Sequence, residues 1–203
     1  EREYADGRHP ERVSYTDEPK LDAIRRDFTV NALFYDPIAD EILDFVNGLE
    51  DIRRGRLRCV GAPADRFVED HLRMLRAVRF AARLGFAMDP DVLRSMKTLA
   101  PRVATLSAER IAEETTKILT GPNPRWALRT LSETGILNVI LPEVEALHGV
   151  EQPKRFHPEG DVFTHTMLML ERMVAPDPDL AWAALLHDIG KPDTFFRDED
   201  GRE

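Results

Sequence analysis

The run Glu69-Asp70-His71-Leu72-Arg73-Met74-Leu75-Arg76-Ala77-Val78-Arg79-Phe80-Ala81-Ala82-Arg83-Leu84-Gly85-Phe86 leaves the chain few ways to fold. Read as one helix, it puts Met74, Ala77, Val78, Ala81 and Ala82 at the i, i+3, i+4, i+7, i+8 spacing of a buried face. Asp70, Arg73, Arg76 and Arg79 then recur every third residue, in a polar band with each member beside the next. A carboxylate accepts hydrogen bonds and a guanidinium donates them, so Asp70 with Arg73 offers an acceptor next to a donor. Cytosine and adenine each carry an exocyclic amine beside an unprotonated ring nitrogen, whereas guanine and uracil carry a carbonyl beside a ring N–H. The pair therefore suits C and A and refuses G and U, because a wrong base in a desolvated site leaves polar groups unpaired. Arg76 and Arg79 remain free to hold a triphosphate. The plainer alternative is an amphipathic helix with a solvated arginine face.

A net charge of −9 argues against a generally basic nucleic-acid coat, yet arginine is concentrated between Arg53 and Arg83, so any RNA contact is local. The 203 residues, 42% of them hydrophobic, allow one large or two to three small globular units. The single cysteine, Cys59, excludes an intrachain disulfide framework and reads as a buried strand residue in a reducing cytoplasm. No apolar run approaches the ~18 residues of a membrane span, and no signal peptide is visible. Both ends read as cut: the first residue is Glu1, and residues 198–203 look like a hairpin turn without its return strand.

Residues 1–18 read as loop plus edge strand, with Val13 and Tyr15 alternating. Leu21, Ile24, Phe28, Ala32 and Tyr35 space helically, and Asp36-Pro37 stops that helix. Ile42–Val46 and Leu57–Val60 are short strand-like runs around a turn of helix from Leu49 to Arg53, so a small mixed α/β piece ends near Val60. Beyond Gly61 the pattern is helical. Asp89 and Ser107 are predicted N-caps, and Gly121 and Gly135 predicted left-handed C-terminal caps. Apolar helices over Phe163–Met173 and Leu180–Ile189 follow, and this last part reads as a possible separate module.

Two constellations carry chemistry. In Arg25-Arg26-Asp27-Phe28-Thr29-Val30-Asn31-Ala32 the arginine pair beside a carboxylate suits a phosphate clamp, with Arg26 the phosphate contact. Asp27 and Asn31 are expected to fix the local backbone. A charged helix start is the alternative. The second constellation is His165 with His187-Asp188, costly to bury inside an apolar helix unless a divalent metal binds them. Imidazole plus carboxylate suits Mn, Fe, Ni, Zn or, less well, Mg. His157 is a weaker substrate or outer contact, and His9, His71 and His148 read as structural or solvated.

Together these runs resemble the class II tRNA nucleotidyltransferases, the CCA-adding enzymes and their bacterial poly(A) polymerase relatives. Arg25–Ala32 resembles the family's RRDFTxNA motif, and Asp44-Phe45-Val46-Asn47-Gly48 its flexible aspartate-to-glycine hinge. Glu69-Asp70-His71-Leu72-Arg73 resembles the EDxxR nucleotide-selecting motif. Ser107-Ala108-Glu109-Arg110-Ile111 with Glu114 and Lys117 resembles the helix that stabilises the neck. The resemblance implies that Arg26, Asp70, Arg73, Arg76 and Arg79 contact ATP and CTP, with Asp70 and Arg73 as a protein template for the base. Tyr4–Pro10 looks like the end of the loop that switches from C to A addition. The family's phosphate loop and paired aspartates, which hold two Mg2+ ions, precede the Arg25 motif and are expected upstream of Glu1. The C-terminal part resembles an HD-domain phosphohydrolase, with His165, His187 and Asp188 as three of four ligands for a metal such as Mn, Ni or Fe, and the fourth expected beyond Glu203.

The expectation is a mainly α chain with a small α/β part: the end of a nucleotidyltransferase head (1–60), a helical neck and body that bind RNA and nucleotide (61–150) and the start of an all-α HD domain (151–203). Its expected partners are tRNA, CTP and ATP, with no membrane. Within this chain no catalytic residue is assigned. The rivals are a poly(A) polymerase of the same family, a protein whose main activity is HD phosphohydrolysis, and a noncatalytic tRNA-binding protein.

Overall fold

Residues 18–152 and 160–194 are described by a computed structural model of the chain. The Tyr4–Pro10 loop, the strand at Val13 and Tyr15, His9, His157 and the 198–203 turn lie outside the described residues. The fold is mainly α with small sheets, as the sequence predicts.

The first helix is shorter than its spacing suggests. α1 (Pro19–Ile24) starts on a proline and stops at Ile24, not at Asp36-Pro37. Phe28 is extended there, with φ −125° and ψ 147°, and bridges to Cys59. The Thr29 N–H donates to the Arg58 carbonyl at 3.0 Å, and the Val60 N–H to that of Asp27 at 3.1 Å. Burying the Phe28 ring completely outweighs propagating the helix. After a 3-10 turn at Thr29–Asn31, β1 (Leu33–Asp36) pairs antiparallel with β2 (Glu41–Asp44), Leu33 opposite Asp44. Asp36 accepts the Ile38 and Ala39 N–H groups, so Asp36-Pro37 opens a hairpin turn.

α2 (Gly48–Arg53) is fixed by two acids. Asp44 accepts the N–H groups of Val46, Gly48 and Leu49 at 2.9–3.1 Å. Burial alone would raise its pKa, but these backbone donors lower it overall. Asp51, fully buried, accepts the Thr29 hydroxyl at 2.6 Å, Arg56 at 2.7 and 2.9 Å and Arg58 at 2.9 Å. Again burial pushes the carboxyl up, and the hydroxyl and two guanidiniums outweigh it. Asp51 thereby ties α2 to the 3-10 turn and to β3 (Arg56–Leu57). β3 pairs parallel with β4 (Ala87–Met88).

The 69–86 run is not one helix. α3 (Pro63–Glu69) ends on Asp70, extended at φ −154°, ψ 107°, and α4 spans Leu72–Leu84. The Asp70 carboxylate accepts the Leu72 N–H at 3.0 Å, a local bond that competes with helix continuation. On α4, Met74, Leu75, Ala77, Val78, Ala81 and Ala82 are buried, which is the predicted face with Leu75 added. Gly85, at φ +67°, closes the helix.

α5 (Pro90–Leu99) is capped by Asp89, which accepts the Asp91 N–H. α6 (Ala108–Leu119) has Ser107 at its N-cap, although the hydroxyl makes no capping bond. Gly135 is left-handed as expected, while Gly121 is not: its absent side chain leaves room for the Lys117 carbonyl, 3.0 Å from where a Cβ would sit. α7 (Pro124–Glu133), α8 (Ile136–Ile140), α9 (Pro142–Glu145), α10 (Val162–Arg172), α11 (Pro178–Leu186) and α12 (Lys191–Thr194) complete the described chain. One continuous core runs from Phe28 through Met74, Val78 and Leu131 to Met167 and Leu185. Among the described residues no helix is long and apolar enough to cross a membrane.

At Gly48 a Cβ would lie 2.2 Å from the Thr29 carbonyl oxygen, a backbone atom that cannot swing away. Gly48→Ala is expected to destabilise the fold by about 3 kcal/mol, the upper range for overpacking. Urea denaturation would read this as a lower midpoint at unchanged slope.

Candidate nucleotide and metal sites

The break between α3 and α4 puts Asp70 and Arg73 side by side: the Arg73 N–H donates to the Asp70 carbonyl at 3.0 Å. Each side chain has its own anchor. Asp70 receives Arg110 of α6 on both oxygens, at 3.1 and 3.2 Å. Arg73 donates through Nη1 to Glu69 at 2.5 Å and to the Arg66 carbonyl at 3.1 Å. These contacts hold the carboxylate and guanidinium in place, and among the described residues Asp70 Oδ2 keeps a lone pair and Arg73 keeps Nε and Nη2 without further side-chain partners.

The three further arginines are paired as well, which corrects the reading of Arg76 and Arg79 as free. Arg76 donates through Nε and Nη2 to Asp27 Oδ2 at 2.8 and 2.5 Å, and Arg79 through Nε to Glu114 at 2.6 Å. Arg26 bonds Asp22 at 2.8 and 3.0 Å and the Asn31 carbonyl at 3.0 Å, with its guanidinium 4.9 Å from the centre of the Phe34 ring. Arg79 lies 4.4 Å from the centre of the Phe80 ring. The acids differ in burial: Glu114 is 5% exposed and Asp22 26%. Glu114 also takes Lys117 at 3.3 Å, so losing Arg79 leaves the buried carboxylate with one weaker partner, whereas the Arg26–Asp22 pair is worth ~1 kcal/mol or less. Asp27 also accepts the Phe28 N–H at 2.9 Å, in keeping with its expected role on the local backbone.

The sequence reading placed Arg110 and Glu114 on a stabilising helix but did not assign them to Asp70 and Arg79. Asp22 was missed altogether. Its signal was the i+3 and i+4 spacing to Arg25 and Arg26.

At the other end, His165 of α10 meets His187 and Asp188, which follow α11. Ligand atoms of all three lie within 4.8 Å of one another. His187 donates from Nδ1 to the Ala184 carbonyl at 2.9 Å, which turns Nε2 toward Asp188 Oδ2, 3.0 Å away. Fixing one imidazole nitrogen on a carbonyl leaves the other as a ligand. Two imidazoles and a carboxylate suit Mn, Fe, Ni or Zn. Among the described residues this is the only such cluster.

Comparison with known proteins bears on the chain up to residue 147. The family described as "Poly A polymerase head domain" matches residues 1–58, and that described as "Probable RNA and SrmB- binding site of polymerase A" matches residues 85–147. The multifunctional CCA protein of Xanthomonas campestris pv. campestris is 42% identical over 178 residues, covering 84% of this chain and 43% of that protein. The chain belongs to the class II tRNA nucleotidyltransferases. The multifunctional CCA protein of Pasteurella multocida is 43% identical over 182 residues, again 84% of this chain and 42% of the relative. The crystal structure of the Bacillus stearothermophilus CCA-adding enzyme in complex with CTP superposes with a TM-score of 0.70 at 37% identity, covering 88% of this chain and 41% of that one. The chain therefore spans less than half the length of these relatives.

Mn2+ titrated into the protein is expected to bind at one site, followed by calorimetry. His187→Ala should weaken that binding at least about tenfold, the scale of one lost ligand or its orienting partner, with no change in the melting of the arginine-bearing helices.

Proposed function

We propose that the protein builds or repairs the 3′ CCA end of tRNA without a nucleic-acid template, using CTP and ATP, in the cytoplasm. The observation that carries this is the Asp70 and Arg73 pair at the α3–α4 break. An ionised carboxylate offers about four lone-pair sites. Three are taken on Asp70, by Leu72 and twice by Arg110, which leaves one on Oδ2 for an exocyclic amine. Arg73 spends only Nη1, which leaves Nε and Nη2 for the ring nitrogen of either base and, in cytosine, the carbonyl beside it. Guanine and uracil would set donor against donor and acceptor against acceptor.

Arg26, Arg76 and Arg79 hold the triphosphate in this reading. A guanidinium has five N–H donors: Arg76 keeps Nη1, and Arg79 keeps both terminal nitrogens, so each can bind phosphate without releasing its acid. Arg26 gives up the weakly held Asp22 more readily. The tRNA 3′ hydroxyl then attacks the α-phosphate and pyrophosphate leaves. In this family divalent Mg2+ assists that transfer. The described acids around Arg26, Asp22 and Asp27, are committed to guanidiniums and offer it no carboxylate pair, so no step is assigned to the ion here. The head, neck-and-body and HD divisions at residues 60 and 150 belong to the same proposal.

A second activity, metal-dependent phosphohydrolysis, is favoured by the His165, His187 and Asp188 cluster, with Mn, Ni or Fe as its metal. It would be recognised by release of phosphate that His187→Ala abolishes and Arg73→Ala leaves intact.

The test of the main reading is incorporation on tRNA lacking its CCA end. CTP and ATP should both be added; incorporation of ATP alone would indicate a poly(A) polymerase instead. Asp70→Ala is expected to narrow the preference for C and A over G and U by about tenfold or more, one hydrogen bond to a charged acceptor. The rate with a correct nucleotide should fall less, and equal loss for all four triphosphates would remove the template role.

A further inference from the structure

Asp22 of α1 grips two guanidiniums at once. Its Oδ1 accepts Arg25 Nε at 2.7 Å and Nη2 at 2.5 Å, and its Oδ2 accepts Arg26 Nη2 at 2.8 Å and Nε at 3.0 Å. The bonds from Arg25 and then Arg26 lower its pKa against the opposing pull of burial, so the acid is ionised at neutral pH. The Nε–Nη2 edge of a guanidinium is one that phosphate oxygens grip two at a time. At Arg26 a carboxylate already occupies that edge. Three features make the contact exchangeable. The Asp22 side chain is 26% exposed, against 10% for Asp27 on Arg76 and 5% for Glu114 on Arg79, so water can solvate it on release. Arg25 still holds it on Oδ1, so letting go of Arg26 costs one fork and not both. Arg26 keeps its place without Asp22, because Nη1 donates to the Asn31 carbonyl at 3.0 Å and the guanidinium lies 4.9 Å from the centre of the Phe34 ring.

A triphosphate tail reaching Arg26 therefore meets an intramolecular rival of like charge on the same edge. A surface ion pair is weak enough to lose to a polyanion, and its tether brings it back as soon as the polyanion leaves. Such a rival matters for turnover, since product release limits the rate of many enzymes. We propose that Asp22 is an affinity-setting latch: it competes with phosphate for the Arg26 fork, limits how tightly the triphosphate and the pyrophosphate product are held, and recloses as pyrophosphate departs. This rests on the reading of Arg26 as a triphosphate contact and deepens it by naming the residue that sets its strength. At Arg76 and Arg79 the more deeply buried acids stay in place, so the latch acts at Arg26 alone.

The test uses the whole chain with pyrophosphate as the probe and CTP and UTP beside it, read by calorimetry below the melting temperature of each variant. Asp22→Asn removes the charge at constant shape, and Asp22→Ala removes the acceptor as well. Both are expected to raise pyrophosphate and CTP affinity about threefold, the scale of one surface ion pair, and to leave the ratio of CTP to UTP affinity unchanged. Arg26→Ala should weaken pyrophosphate binding about tenfold, one charge-assisted hydrogen bond. Asp22→Asn added to Arg26→Ala should bring no gain, because the competition is for that guanidinium. Equal or lower affinity in both Asp22 variants, with Arg26→Ala still weakening binding, overturns this inference alone and leaves Arg26 as a phosphate contact. A gain that persists without Arg26 reports general relief of negative charge and likewise overturns the latch. Arg26→Ala that binds pyrophosphate as well as the parent overturns both readings, as does a parent that binds none.

Discussion

Helix α4 carries guanidiniums at every third position, Arg73, Arg76 and Arg79, and they coexist because each meets a carboxylate, two of them from distant parts of the chain. Asp27, in the bridge to Cys59, supplies Arg76; Glu114 of α6 supplies Arg79; Glu69, ending α3, supplies Arg73. Arg110 of α6 returns the favour to Asp70. Without these partners neighbouring like charges one turn apart would repel. With them, the pairs fasten the small α/β part and α6 to one helix. The same contacts that hold the fold together also aim the acceptor and donor proposed to read the base.

What could be read in advance depended on whether the determining interaction was local. The apolar face of α4 was legible because period and burial coincide from Met74 to Ala82. The Asp89 cap and the left-handed Gly135 were legible because each is decided within a few residues. The helix predicted from Leu21 to Tyr35 failed at Phe28, whose burial against residues ~30 positions later overrides its spacing. The break at Asp70 was hidden because its polar band fits a helix equally well, and only the Asp70 to Leu72 bond decides between them.

The candidate sites divide in the same way. Residue types at motif spacing pointed to Asp70 and Arg73, and to His165, His187 and Asp188; the last three do converge. The counter-ions of the arginines were not legible, since Asp27 and Arg76 lie far apart in the chain and meet only through the tertiary fold.

α10 and α11 bury Met167, Leu170, Ala181 and Leu185 in the same core as Met74, Val78 and Leu131. The imidazole cluster is therefore built on helices grafted into the interior that also supports the arginine-bearing helix. Recombination that exchanged this C-terminal segment for another could not act as a swap of beads on a string. It would have to bring matching apolar volumes for α7 and α6, so inheritance of the two ends as one block is the path of least disruption.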